Sequence, residues 1–155
     1  MSTHERNLDR LAARHAQHII RRTKLKNPQD DLSTQQSAGD VDNAVTKALG
    51  VLQENGIYAC ALYLLSRTQA EEQDTAAVIR DEMLNLLTNL GFPGWEKPNV
   101  TDARTNAETI LKHLAEKVTG DNNLERLLLA KETLEQMFIY ARYGAKARSA
   151  EETRA

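Results

Sequence analysis

An all-α fold, a compact bundle of about six helices with a basic N-terminal helix and a long C-terminal one, follows from three observations. Only seven Gly and three Pro in 155 residues leave little turn material for a many-stranded sheet. Apolar residues recur at helical spacing along most of the chain. The composition, 41% apolar and 27% charged, is that of a globular chain, and this length buries roughly two-thirds of its unfolded surface as one domain spanning residues 1–155. No repeat of solenoid length is present.

The first helix runs from about Ser2 to Leu25, with Leu8, Leu11, Ala12, His15, Ile19 and Ile20 on its apolar side. Residues 26–39 contain Pro28 and are rich in Gln, Ser, Asp and Thr, the makeup of a flexible surface linker. Asp40 can cap a second helix from Val41 to about Gln53, with Val41, Val45, Ala48, Leu49 and Leu52 inward, closed by Asn55-Gly56. The third, Ile57 to about Arg67, is apolar on nearly all sides and is expected to be the central buried element. After the acidic stretch Glu71–Asp74, a fourth helix carries Ala77, Val78, Met83, Leu84, Leu87 and Leu90 and stops at Gly91. The segment GFPGWEKPNV, residues 91–100, holds the sole Trp and two of the three prolines, so it reads as a loop pinned by its aromatics. Thr101 or Asp102 caps a fifth helix to about Val118, with Ala107, Ile110, Leu111, Leu114 and Val118 inward, and Gly120 ends it. The last helix runs from Asp121 to about Arg148, burying Leu124, Leu127, Leu128, Leu134, Phe138, Ala141 and Ala145; residues 149–155 form a frayed tail.

Charge is distributed unevenly behind a formal net charge of -2. Residues 1–26 hold seven Lys/Arg against two acids, a local +5, and the remainder holds 13 against 20, or -7. Arg6, Arg10, Arg14, His18 and Arg22 recur every four residues, which places them on one drifting helical stripe. Like charges at that spacing repel by a few tenths of about 1 kcal/mol per pair, so a polyanionic partner would offset a cost that stability alone would not select. A second basic cluster, Arg142, Lys146 and Arg148, closes the last helix, where cations also oppose the macrodipole. Lys131 lies beside the apolar face of that helix and is eleven residues, three turns, before Arg142, so both can present to one groove and position a phosphate backbone.

No catalytic constellation is visible. There is no glycine-rich phosphate loop, no G-x-S-x-G and no H-E-x-x-H. Cys60 stands alone inside an apolar run and reads as a core residue. His15-x-x-His18 supplies two imidazoles on one helix, but zinc needs three or four ligands and no third is marked nearby, so neither metal nor cofactor is expected. The longest apolar run, Ile57 to Leu65, is too short to cross a bilayer, and the charged N-terminus is unlike a signal peptide, so a cytoplasmic protein without a membrane partner is expected.

Two stretches resemble one known family. KALGVLQENGIYACALYLLSR, residues 47–67, has an early Lys, an Asn-Gly turn and an apolar helix ending in a basic residue. LLLAKETLEQMFIYARYGAKA, residues 127–147, has a Lys-Glu pair and, eleven residues after the Lys, an Arg in an aromatic-rich turn. Both are similar to the small all-α subunit of type III-B CRISPR-Cas effector complexes, the Cmr complexes. The resemblance implies a non-catalytic subunit that stacks on copies of itself as a minor filament. Its neighbours would be the repeating backbone subunit and the large signalling subunit of an RNA-guided antiviral assembly. It further implies that Lys47, Lys131 and Arg142, together with arginines of the first helix, touch the backbone of target RNA paired to guide RNA. The full expected set is Lys47, Lys131, Arg142, Lys146, Arg10, Arg14 and Arg22. Two other classes remain open: a helical DNA-binding regulator using the Asn55-Gly56 turn, and a protein adaptor whose basic helix binds an acidic partner.

Overall fold

The computed structural model describes residues 3–23, 38–98 and 103–154, and among them the chain is helical with no strand. Six α-helices follow in order: α1 Thr3–Thr23, α2 Ala38–Asn55, α3 Ile57–Leu65, α4 Ala70–Asn89, α5 Ala103–His113 and α6 Leu124–Arg154. A π-helical turn, Leu114–Val118, continues α5. The expected caps Thr101 and Asp102 fall outside the described residues, as does the expected linker 26–39 except for its last two residues, which already belong to α2.

The long α6 organises the bundle, packing against both α1 and α2. Ala130, Leu134, Met137, Phe138 and Ala141 of its middle turns are fully buried. Contacts fix the directions. Tyr140 donates to Asp9, and Arg148 donates to the Ile20 carbonyl at 3.5 Å, so α1 runs parallel to α6. Lys131 reaches the Gln53 carbonyl and Arg142 reaches Asp42, so α2 runs antiparallel. α4 lies antiparallel on the other side of α1, with Asn89 at His15 and Asp81 at Arg22.

Boundaries differ from expectation where polar residues extend helices. Asp40 sits in the first turn of α2 and not at its cap, where its charge still favours the positive end of the helix dipole. The acidic stretch from Glu71 to Asp74 likewise belongs to α4. α6 begins three residues late, at Leu124, and runs past Arg148 to Arg154 through the segment expected to fray.

Two core assignments are corrected. α3 is peripheral: it buries Ile57, Cys60, Ala61 and Leu64, while Leu62 is 47% exposed and Tyr58 is also open. It packs against α2 and α4, and also touches α5 and the π-helical turn, while the face that carries Tyr58 and Leu62 stays open among the described residues. Leu124 and Leu128 are 66% and 58% exposed, because the first turns of α6 project past the end of α2. The turn joining α2 to α3 is a single residue, Gly56 at φ 95°, a conformation that glycine adopts without the Cβ penalty. The 91–98 loop is packed as expected. Trp95 is fully buried, stacks edge-on to Phe92 at 5.0 Å, and donates its Nε1–H to Asp121 at 3.1 Å. Arg126 lies over Phe92. Cys60 is buried between α2 and α4, its thiol 3.4 Å from the Ala48 carbonyl and pushed up to about 12 by burial.

Candidate nucleic-acid interface

Helical geometry divides the basic stripe of α1. Steps of four residues advance about 40° around a 3.6-residue helix, so the line from Arg10 to Arg22 turns through about 120°. Arg10 and Arg14 face solvent opposite the buried Ala12, Ala16 and Ile19. By His18 and Arg22 the line has rotated onto α4. Arg22 is bound there by Asp81 and Glu82, each at 2.7 Å. Arg22 therefore ties α1 to α4, and its guanidinium is already engaged. Arg22 stays exposed at that edge, while Arg21, also exposed and eleven residues after Arg10, continues the outward line three turns later.

Beyond that line, α1 and α6 frame a groove of about 560 Å³ lined by Ala13, Ala16, Gln17, Ile20 and Arg21 from α1 and by Tyr140, Gly144, Ala147, Arg148 and Glu151 from α6. Small residues set the close approach: a Cβ on Gly144 would lie 3.0 Å from Cγ1 of Ile20. Arg142 and Lys146 stand two residues either side of Gly144. Lys146 is exposed, its Nζ 5.9 Å from the ring centre of Tyr143, itself exposed. Arg148 belongs to the interior, buried against α1, and so leaves the surface cluster in which the sequence placed it.

Lys131 and Arg142 do share one stripe of α6, along its α2 side. Lys131 donates to the Gln53 carbonyl at 3.2 Å with Glu135 at 3.9 Å, and Arg142 Nε lies 3.6 Å from Asp42 Oδ1. Both side chains are partly exposed, so these ion pairs contribute little and leave donors to spare. Lys47 is not with them. It is five residues from Asp42, about 140° further around α2, and faces the opposite flank. There it lines a cleft of about 240 Å³ with Asn43, Tyr63, Arg67, Gln69 and Thr75. Arg67 stacks on Tyr63 at 4.2 Å, and its Nε is buried without a hydrogen-bond partner. The early Lys and the closing basic residue of the 47–67 stretch thus come to one cleft, with Asp40 and Glu72 also on its walls.

The strongest polar cluster is one that spacing alone missed. Glu82, on α4, accepts from His15 Nδ1 at 2.8 Å, His18 Nδ1 at 3.2 Å, Arg22 at 2.7 Å and Asn85 at 3.3 Å. Burial pushes its carboxyl up, but hydrogen bonds from His15, Arg22 and His18 outweigh that and hold it down to about 2. Burial acts on Asp81 in the same upward sense, and hydrogen bonds from Lys97 and Arg22 bring it below the ordinary range. A signal was present in the sequence: position 82 falls on the apolar face that holds Ile79, Met83 and Leu86, and a carboxylate there must find partners.

The chain matches no family model, no curated protein and no solved structure. No described helix is long and apolar enough to cross a membrane.

Proposed function

We propose that the protein is a non-catalytic structural subunit that holds an RNA backbone, as in the small subunit of a type III-B CRISPR effector complex. The observation that carries this reading is the arginine line Arg10, Arg14 and Arg21 on the solvent face of α1, with Arg142 and Lys146 adding cations on the side of α6 turned away from α1. Cations spaced along a helix suit phosphates, which position a strand without reading its sequence. Guide and target RNA supply specificity by pairing, and the subunit supplies charge and shape. Lys47 and Arg67 in the second cleft would take another stretch of strand or a neighbouring subunit, which fits a chain that stacks on itself. The reading as a DNA-binding regulator is weaker, because the outward residues of α3 are Tyr58 and Leu62, which offer little to base edges.

The test is RNA binding by the purified chain and by Arg10→Glu/Arg14→Glu/Arg21→Glu. For single strands log affinity falls with log salt at about 0.7 per phosphate neutralised, so losing three contacts should flatten the slope by about 2. An unchanged slope and affinity in the triple variant, with helical content retained, would remove the proposed interface. Recovery of the tagged chain with a short guide RNA and larger subunits tests the assembly itself.

A further inference from the structure

We propose that His15, His18 and Glu82 form a binding site for a borderline transition-metal dication, with zinc as the reference ion, that clamps α1 to α4. One ligand atom from each of His15, His18 and Glu82 lies within 4.8 Å of the other two. They come from two helices, so a shared ion would join elements that the chain places 64 to 67 residues apart. Both imidazoles aim the same ring atom at the same oxygen, at 2.8 and 3.2 Å. An ion at the usual zinc distances of roughly 2.0–2.2 Å takes the place of those two N–H···O bonds with small rotations.

Four further features fit an ion. Arg22 occupies Glu82 Oε2 at 2.7 Å, which leaves Oε1 as the single oxygen turned toward the histidines and makes the carboxylate a one-oxygen ligand. Asn89 Nδ2 lies 3.0 Å from His15 Nε2. With an ion on Nδ1, the proton sits on Nε2 and the Asn89 amide turns to accept it, the outer-sphere hydrogen bond that orients metal-bound histidines. His15 and Glu82 are each 3% exposed while the His18 side chain is 36% exposed, so ligands are held rigidly inside and one edge opens to water. Two imidazoles and one carboxylate select zinc, cobalt, nickel or iron(II) over magnesium or calcium, which prefer all-oxygen sites. Three protein ligands leave at least one position for water. The arrangement stands independently of the RNA reading: it would stiffen the wall that carries Arg10, Arg14 and Arg21 whatever that wall meets.

The experiment uses untagged, chelator-stripped full-length chain titrated with Co²⁺ and then with Zn²⁺. The expected result is one ion per chain, visible cobalt absorption displaced by zinc, and a denaturation midpoint that rises with zinc. His18→Ala alters a half-exposed ligand and should weaken zinc by more than the 10–100-fold typical of an outer-sphere change, while Asn89→Ala should weaken it by about that amount. His113→Ala, a histidine outside the cluster, should bind as the unaltered chain does. Failure of the unaltered chain to take up zinc, or equal affinity in His18→Ala and the unaltered chain, overturns the site. Should His18→Ala fold poorly, equal affinity in Asn89→Ala together with an unchanged cobalt spectrum overturns it instead.

Discussion

Glu82 carries more polar partners than any neighbouring side chain of α4, and its protonation state follows from them. Its folded carboxyl titrates at about 2, below the roughly 4.3 of an unfolded glutamate, so it contributes stability that is fully present above the unfolded value. That contribution disappears as pH falls from about 4.5 toward 2. Urea midpoints for the unaltered chain and Glu82→Gln, measured across this range, should differ at pH 6 and converge in acid; a constant difference would show that the charge is not what matters. Glu82→Ala at neutral pH should cost about 3 kcal/mol, because the groups it satisfies are left behind. Trp95→Ala should cost about 4 kcal/mol by leaving a cavity beneath the 91–98 loop and freeing Asp121. These two residues also mark the limits of reading a sequence. Trp95 was legible, since a lone indole in a loop bracketed by glycines and prolines has to anchor it. Glu82 was not, since its partners are distant in the chain and a helical wheel shows its awkward position without naming what resolves it.

At the scale of elements, a four-residue repeat and a helix of 3.6 residues do not keep step, so one line of basic residues serves two tasks. Arg10 and Arg14 look outward, whereas His18 and Arg22 turn to partners on α4, Arg22 while still exposed. Sequence spacing showed the line and its drift, but the turning point depends on where α4 docks. Most helices were legible from their apolar periodicity. The exposed Leu124 and Leu128 and the peripheral α3 were misplaced because an apolar face records a need for cover, not which element supplies it. The approach of α1 to α6 offers a direct check. Gly144→Val adds bulk where even a Cβ would sit 3.0 Å from Ile20, and should destabilise by about 2 kcal/mol despite the better helix propensity of valine. Combining it with Ile20→Ala should cost less than the two separate losses added together, measured as a double-mutant cycle.

Across the whole molecule, α6 spans the bundle and meets α1 on one side and α2 on the other, so cations at its C-terminal end are held at a fixed spacing from the arginines of α1. The acidic excess beyond residue 26 is partly spent internally, with Asp42 at Arg142, Glu135 at Lys131, and Asp81 and Glu82 at Arg22. Arg10, Arg14 and Arg21 of α1 stay exposed, with Glu151 sharing the groove that Arg21 lines. Cys60 gives this architecture a built-in clock. As the chain's sole thiol, buried where α2, α3 and α4 meet and with its ionisation suppressed, it reacts with an alkylating reagent only when that junction opens. The labelling rate, divided by that of a free thiol, reads the opening equilibrium of the unmodified protein. Leu64→Ala, a cavity next to that junction worth about 3 kcal/mol, should speed labelling roughly 100-fold if it opens with the whole bundle, and far less if the junction opens alone.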